Sequence, residues 1–337
     1  MKKLFAFLLA MTMLFAFAAC TVPAAEVPAV DKTSGQEEDS LSISSLARLI
    51  MVTGGDSGTY YAFGGVIANV LSSTVDNLEI TAVTSGASAA NCRSLNNGEA
   101  DLAIMQNDVL DYAVTGTETM VEDGAMPKLR AIASLYPEAV QLVALKSANI
   151  HSIADLKGKR VCVGDQGSGS ETNAKQVLEA YGLSYDDFDV QYLSFSEAST
   201  AMQNGTVDAA FATSALPNSA IQELSKMKEI VVIPIDGEGA DKLLEKHPFY
   251  AKTVIPAATY GVNEAETVAM LATLVCSEDL DEAVVYQITK HLFEEQPAMA
   301  AGHARGGDLD INKALDGVTV DFHDGALRYY REQGVID

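Results

Sequence analysis

Three times along this 337-residue chain a short apolar run stops in a cluster of glycine and hydroxyl residues, and a helical pattern starts at once. The first cluster is Thr53-Gly54-Gly55-Asp56-Ser57-Gly58-Thr59-Tyr60-Tyr61. The second is Thr84-Ser85-Gly86-Ala87-Ser88. The third is Gly164-Asp165-Gln166-Gly167-Ser168-Gly169-Ser170-Glu171-Thr172. Strand, tight turn and helix in repeated succession predict an α/β fold with largely parallel sheets. Each turn offers hydroxyls, close backbone approach and a helix N-terminus, whose unpaired N–H groups and dipole favour an anion. Ligands of open α/β sheets sit at the carboxyl ends of the strands, where these turns lie. Taken singly, each is equally an ordinary helix cap. One helix N-terminus contributes roughly 0.3–1 kcal/mol toward an anion. Micromolar binding, about 8 kcal/mol, therefore needs several turns to converge in a site that excludes water.

The alternation runs through the whole chain. Strand patterns cover Ala47–Val52, Leu78–Val83, Asp101–Met105, Leu129–Leu135 and Val140–Leu145. Helical spacing covers Thr59–Leu71, Ala87–Leu95 and a stretch ending near Val114. The second half repeats the order, with strands at Val161–Val163, Val190–Leu193, Ala209–Ala212 and Ile230–Ile235. Its helices are Glu171–Tyr181, Glu197–Gln203, Asn218–Ser225 and one ending at His247. A long apolar run, Val268–Cys276, precedes an amphipathic helix through Val284, Val285, Ile288 and Leu292. Two α/β units of similar size predict two lobes: 46–142 with 258–337, and 143–257. The run near 268–276 has no sheet of its own nearby and is expected to return to the first lobe.

Residues 1–19 have the form of a signal peptide: Lys2 and Lys3, then an apolar stretch too short to span a bilayer comfortably. Ala18 and Ala19 lead into Cys20, the expected lipidation site, although Phe17 stands where a lipobox usually has Leu. Residues 20–45, rich in Pro, Ala, Ser and acid, read as a flexible tether. Together these place a soluble domain outside the cytoplasm, on the outer face of the membrane or in the periplasm.

Composition narrows the function. Lys plus Arg number 22 against 46 Asp plus Glu, a net charge of −24. That balance argues against nucleic-acid backbones as partners, because they need clustered cations. It does not exclude a small anion held by local dipoles. Four cysteines are too few for a disulfide scaffold, and Cys92, Cys162 and Cys276 read as buried thiols.

Catalytic readings fail. Gly55-Asp56-Ser57-Gly58 matches the nucleophile tetrapeptide of chymotrypsin-like proteases, but Thr59 follows and no His precedes Ser57. The third turn has Thr172 where a dinucleotide fingerprint needs Gly. No Gly-Lys-Ser/Thr closes a phosphate loop. The histidines (151, 247, 291, 303, 323) lack metal-ligand spacing. Cys92 and Cys162 are the remaining candidates for a reactive group, and their apolar surroundings make them inert. The expectation is a non-enzyme without cofactor or metal.

Several segments in order resemble the TAXI family of solute receptors that serve TRAP transporters. They are TGGDSGTYYAFGG (53–65), TSGASAANCRSLNNGEADLAIMQND (84–108), LRAIASLYPEAVQLV (129–143), ADLKGKRVCVGDQGSGSETNA (154–174) and Ala-Leu-Pro-Asn (215–218). The resemblance spans about residues 48 to 335. It implies a type II periplasmic-binding-protein fold: two lobes, each with a mostly parallel sheet flanked by helices, joined by hinge strands and closing on a solute. It also implies membrane-embedded TRAP subunits as partners, sodium-coupled uptake, a monomer, and small organic acids as ligands, chiefly glutamate, glutamine and related carboxylates.

The site residues it implies are Ser57, Gly58, Thr59 and Tyr60 at the first turn, with Tyr61 as alternative to Tyr60. Ser85 and Ser88 follow at the second turn, Gln106 at the end of a strand, and Tyr136 near the hinge. From the opposite lobe come Ser168, Gly169, Ser170 and Thr172, with Pro217 and Asn218 bounding the cleft. Arg93 runs along a helix and Arg130 begins a strand, so a carboxylate is expected to rest on backbone N–H and hydroxyl groups. An aromatic or pyrimidine-type ligand stacked on the tyrosines is the alternative on the same fold.

Overall fold

The computed structural model describes residues 41–337. The expectations for residues 1–40, Cys20 among them, lie outside the described residues. Ten strands form one sheet: β1 (Ala47–Val52), β2 (Leu78–Val83), β3 (Leu102–Gln106), β4 (Leu129–Leu145), β5 (Arg160–Cys162), β6 (Asp189–Gln191), β7 (Ala209–Ser214), β8 (Ile230–Ile233), β9 (Ala251–Ile255) and β10 (Ala265–Ser277). Its order is β2-β1-β3-β10-β4-β7-β5-β6, with β8 also pairing β4 and β9 pairing β10. Parallel pairing holds at the flanks, in β2-β1-β3 and in β7-β5-β6. The two central strands run antiparallel to each other and to their neighbours.

Helices cover both faces: α1 (Thr59–Thr74), α2 (Ser88–Asn96), α3 (Asn107–Thr115), α4 (Gly169–Ala180), α5 (Phe195–Gln203), α6 (Ser219–Met227), α7 (Gly237–Lys246), α8 (Ala257–Tyr260), α9 (Glu282–Glu294), α10 (Gln296–Gly302) and α11 (Asp324–Glu332). None among the described residues is long and apolar enough to cross a membrane. Helix α1 shows why the pattern folds this way. Tyr60, Phe63, Ile67, Val70 and Leu71 fall on one face and are buried. Gly64 lies on that same face and lets the helix close onto the sheet, since a Cβ there would come within 2.7 Å of Thr53.

The sequence expectation of two strands at 129–135 and 140–145 is corrected: β4 runs unbroken for 17 residues. It serves two cores. Ile132, Ala133, Leu135 and Tyr136 pack with α1 and α9 residues such as Phe63, Ile67 and Val285. Val140, Leu142 and Ala144 pack with Val161, Val177 and Leu243. Strand β10 makes the same exchange, with Val268 and Met270 in the second core and Ala272, Leu274 and Cys276 in the first. The run near 268–276 therefore belongs to both halves. The cores change over at 136–140 and 270–272, a few residues before the expected 142/143 boundary and about a dozen after 257/258. The pairing of β4 with β10 shifts register at Ala272/Thr273, beside the crossing.

Candidate functional site

The strand ends of both halves meet at one small cavity. Gly54, Gly55, Ser57, Gly58, Thr59 and Tyr60 line it from the first turn, and Ala87 and Ser88 from the second. Gln106 and Glu138 come from β3 and β4. The other half supplies Asp165, Ser168, Gly169 and Ser170 from the third turn, Phe195, and Thr213 with Ser214 at the end of β7. Nine of the fourteen ligand residues expected from sequence share this cavity: Ser57, Gly58, Thr59, Tyr60, Ser88, Gln106, Ser168, Gly169 and Ser170.

Five do not line it. Ser85 is occupied in its own turn, donating to Asn91 at 2.6 Å and accepting from the Ala87 N–H. Thr172 points back along α4 to the Ser168 carbonyl. Asn218 caps α6, accepting from the Ile221 N–H, and Pro217 beside it is exposed. Tyr136 packs edge-on against Phe63, 5.7 Å between ring centres, with its hydroxyl buried and unpartnered. Of the tyrosine pair, Tyr60 is buried at the cavity and Tyr61 is 39% exposed outside it.

Three helices open here without a side-chain cap: α1, α2 and α3. The first turns of α1 and α2 leave N–H groups free to bind a ligand, whereas in α3 the Val109 N–H donates to Asp108 Oδ1 at 2.7 Å. By contrast, Ser168 accepts from the Glu171 N–H and so caps α4 itself. At the start of α2, Ala87 holds φ 65° and ψ −150°. That is glycine territory, and a residue with a Cβ stays there at a cost of about 1–3 kcal/mol. Ser57 Oγ, Gln106 Oε1 and Thr213 Oγ1 are buried in the lining without a hydrogen-bond partner. Orphaned polar atoms are rare, and three in one cavity point to an absent partner.

Gly169 holds the halves close. A Cβ on it would stand 2.0 Å from Gln106 Oε1 and 2.8 Å from Ser88 Oγ, both in the other half. Gly164, at φ 103°, turns β5 toward α4 in a conformation suited to glycine.

Sequence reasoning missed Glu138, Phe195, Thr213 and Ser214, and it quoted Asp165 without assigning it a role. Glu138 is 1% exposed and accepts from Tyr60 Oη at 2.5 Å through Oε2. Burial, offset in part by that hydrogen bond, pushes its carboxyl up to about 8. Burial first, then the nearby Glu138, holds the Tyr60 hydroxyl well above its ordinary range. Asp165 is also raised, chiefly by burial.

A second polar cluster joins the halves beside the cavity. Gln106 Nε2 donates to Asn173 Oδ1 at 2.9 Å. Asn173 Nδ2 donates to Asp108 at 3.1 Å and to Tyr250 Oη at 2.9 Å. Tyr250 donates to Gln176 at 2.6 Å, and Gln176 to Tyr112 Oη at 3.1 Å. Tyr112 meets His247 Nδ1 at 3.3 Å. Burial raises Asp108 to about 7.

The three cysteines among the described residues are all buried. Cys92 lies 3.3 Å from Met105 Sδ, and burial pushes its thiol up to about 12. Cys162 and Cys276 are also buried with raised thiols.

A model described as the NMT1-like family matches residues 51–334. Similar solved structures include the alkanesulfonate-binding protein SsuA from Xanthomonas axonopodis pv. citri bound to MOPS. It is 19% identical over 80% of this chain and 82% of that one, with a TM-score of 0.50. A binding protein component of an ABC phosphonate transporter from Pseudomonas aeruginosa is 12% identical over 77% and 79%, with a TM-score of 0.53. A structure from work on glutathione import through GshT and the cystine ABC importer TcyBC of Streptococcus mutans is 10% identical over 76% and 93%, with a TM-score of 0.50. At these identities the likeness concerns the fold, which is that of periplasmic binding proteins.

Proposed function

The chain belongs to the NMT1-like family, and from that membership and the cavity between its halves we propose that it is an extracytoplasmic solute receptor delivering a small carboxylate to a membrane transporter. The observation that carries the reading is the convergence of two uncapped helix N-termini, those of α1 and α2, and three orphaned polar atoms on a cavity built from both halves. Thr59, Ser88 and Ser170, one from each glycine-rich turn, all contribute to it. Backbone N–H groups and hydroxyls grip the anion, and no residue performs chemistry on it. Where β4 and β10 cross, the halves hinge, and the solute stabilises the closed form by its differential affinity for it. The chain acts as a monomer held by a lipid on Cys20.

The motif resemblance supports TRAP-type membrane subunits and glutamate, glutamine or a related acid as solute. Two of the structures of similar fold bear the names of ABC systems, so the transporter class needs its own test. In vesicles carrying the partner subunits, uptake that collapses with the sodium gradient supports the TRAP reading. Uptake that instead follows ATP hydrolysis overturns it.

Thermal-shift and calorimetric screening with amino, dicarboxylic and aromatic acids tests the solute class. A ligand at one hundred times its Kd stabilises the fold by about 2.7 kcal/mol, enough to raise the melting temperature by a few degrees. Silence from every acid sinks the carboxylate reading. Phe195 in the lining favours an aromatic solute as the second reading, and a response confined to ring compounds would select it.

A further inference from the structure

The cavity lining carries two carboxyl groups, Glu138 and Asp165, and no Lys, Arg or His. Arg93 approaches the third turn near Gly167, but its guanidinium is engaged by Asp123 at 2.7 and 2.8 Å. A site built only for an anion gains nothing from an ionisable acid buried in its lining, because that acid repels the ligand whenever it loses its proton. Glu138 is that acid. It sits in β4 where the strand passes from one core to the other, and only its Oε2 has a partner among the described residues, the Tyr60 hydroxyl. Asp108 is the other charged group that acts on it. The helix N-termini and hydroxyls supply donors, whereas Glu138 supplies an acceptor that can become an anion. Donors and an anionic acceptor in one small cavity match a zwitterion.

Building on the receptor reading above, we propose that Glu138, positioned by Tyr60, anchors a protonated amine of the solute, so that the site takes amino acids and discriminates against the same acids without the amine. The amide-rich helix starts hold the carboxylate of the ligand. Glu138 loses its proton to solvent as the ammonium group seats, and the Tyr60 hydrogen bond stabilises the resulting carboxylate. Asp165, on the opposite half, adds negative potential at the same cavity.

The test is calorimetric titration of the full chain with the twenty common L-amino acids. Glutarate, succinate, fumarate, pyruvate and 2-oxoglutarate serve as amine-free counterparts. We expect at least one amino acid to bind tenfold or more tightly than any amine-free acid of its length. Repeating that titration at pH 6.5 in two buffers of different ionisation enthalpy should register close to one proton released per ligand, since Glu138 titrates near 8 in the free chain. Glu138→Gln should weaken that amino acid at least tenfold and abolish the proton release, while amine-free acids bind as before or better. If Glu138→Gln does not fold, the ligand pairs and proton count on the unaltered chain decide alone. Amine-free acids binding as tightly as amino acids, or no proton release, overturns the anchor and leaves the carboxylate receptor standing. Silence from both groups overturns the receptor reading and the anchor with it.

Discussion

At the scale of single residues, burial and function separate cleanly in the tyrosines. Tyr60 and Tyr136 are both buried, but only Tyr60 has a partner for its hydroxyl and faces the cavity. The Tyr136 hydroxyl is buried without one, which costs about 1–3 kcal/mol in desolvation. Tyr136→Phe should therefore leave the melting temperature unchanged or raise it, and leave solute affinity within twofold. Differential scanning calorimetry and titration check both, and a loss of affinity of tenfold or more would put Tyr136 back among the ligand contacts. Sequence alone could not make this distinction, since an aromatic residue beside a hinge reads the same whether it faces the cavity or the core.

Among the elements, the glycine and hydroxyl turns were legible because their chemistry is local. A helix start after a strand needs small residues and donors, and those residues sit in sequence order. What local pattern could not give was β4. Its apolar run is interrupted by Pro137-Glu138, which in sequence looks like a loop between two strands. In the fold that interruption lies at the passage between the cores, and its acid lines the cavity. The break in periodicity was itself the signal for the site. Helix α6 gives the opposite case: Asn218, expected at the cleft, spends its Oδ1 on the Ile221 N–H and its Nδ2 on Ser214 Oγ. Asn218→Ala should cost about 1 kcal/mol of stability through the lost cap and a further amount through the lost bond to Ser214, with affinity held within twofold and with Asn218→Ser recovering the cap. A tenfold loss of binding in a folded Asn218→Ala protein would contradict the capping role.

For the molecule as a whole, two carboxyls buried where the halves meet tie stability to pH. Glu138 titrates near 8 against an ordinary 4.5, and Asp108 near 7 against 3.8. Between those values the native chain holds protons that the unfolded chain has released. Raising pH therefore favours unfolding, and the stability these groups add at low pH is lost as pH climbs through 7 and 8. Melting temperature should fall from pH 6 to pH 8.5, and Asp108→Asn should flatten the slope. A profile that rises over that window, or an unaltered slope in Asp108→Asn, would refute the assignment. The alternation of elements was readable from the sequence, but the exchange between the cores was not, because β4 and β10 each contribute to both and no sequence boundary marks it.

The absence of a side chain at position 169 has a mechanical consequence. Gln106 and Ser88 occupy the volume that even one methyl group on that residue would claim. Residue 169 thus fixes how closely the start of α4 packs against the end of β3 and the start of α2, a spacing that any larger residue there would force apart.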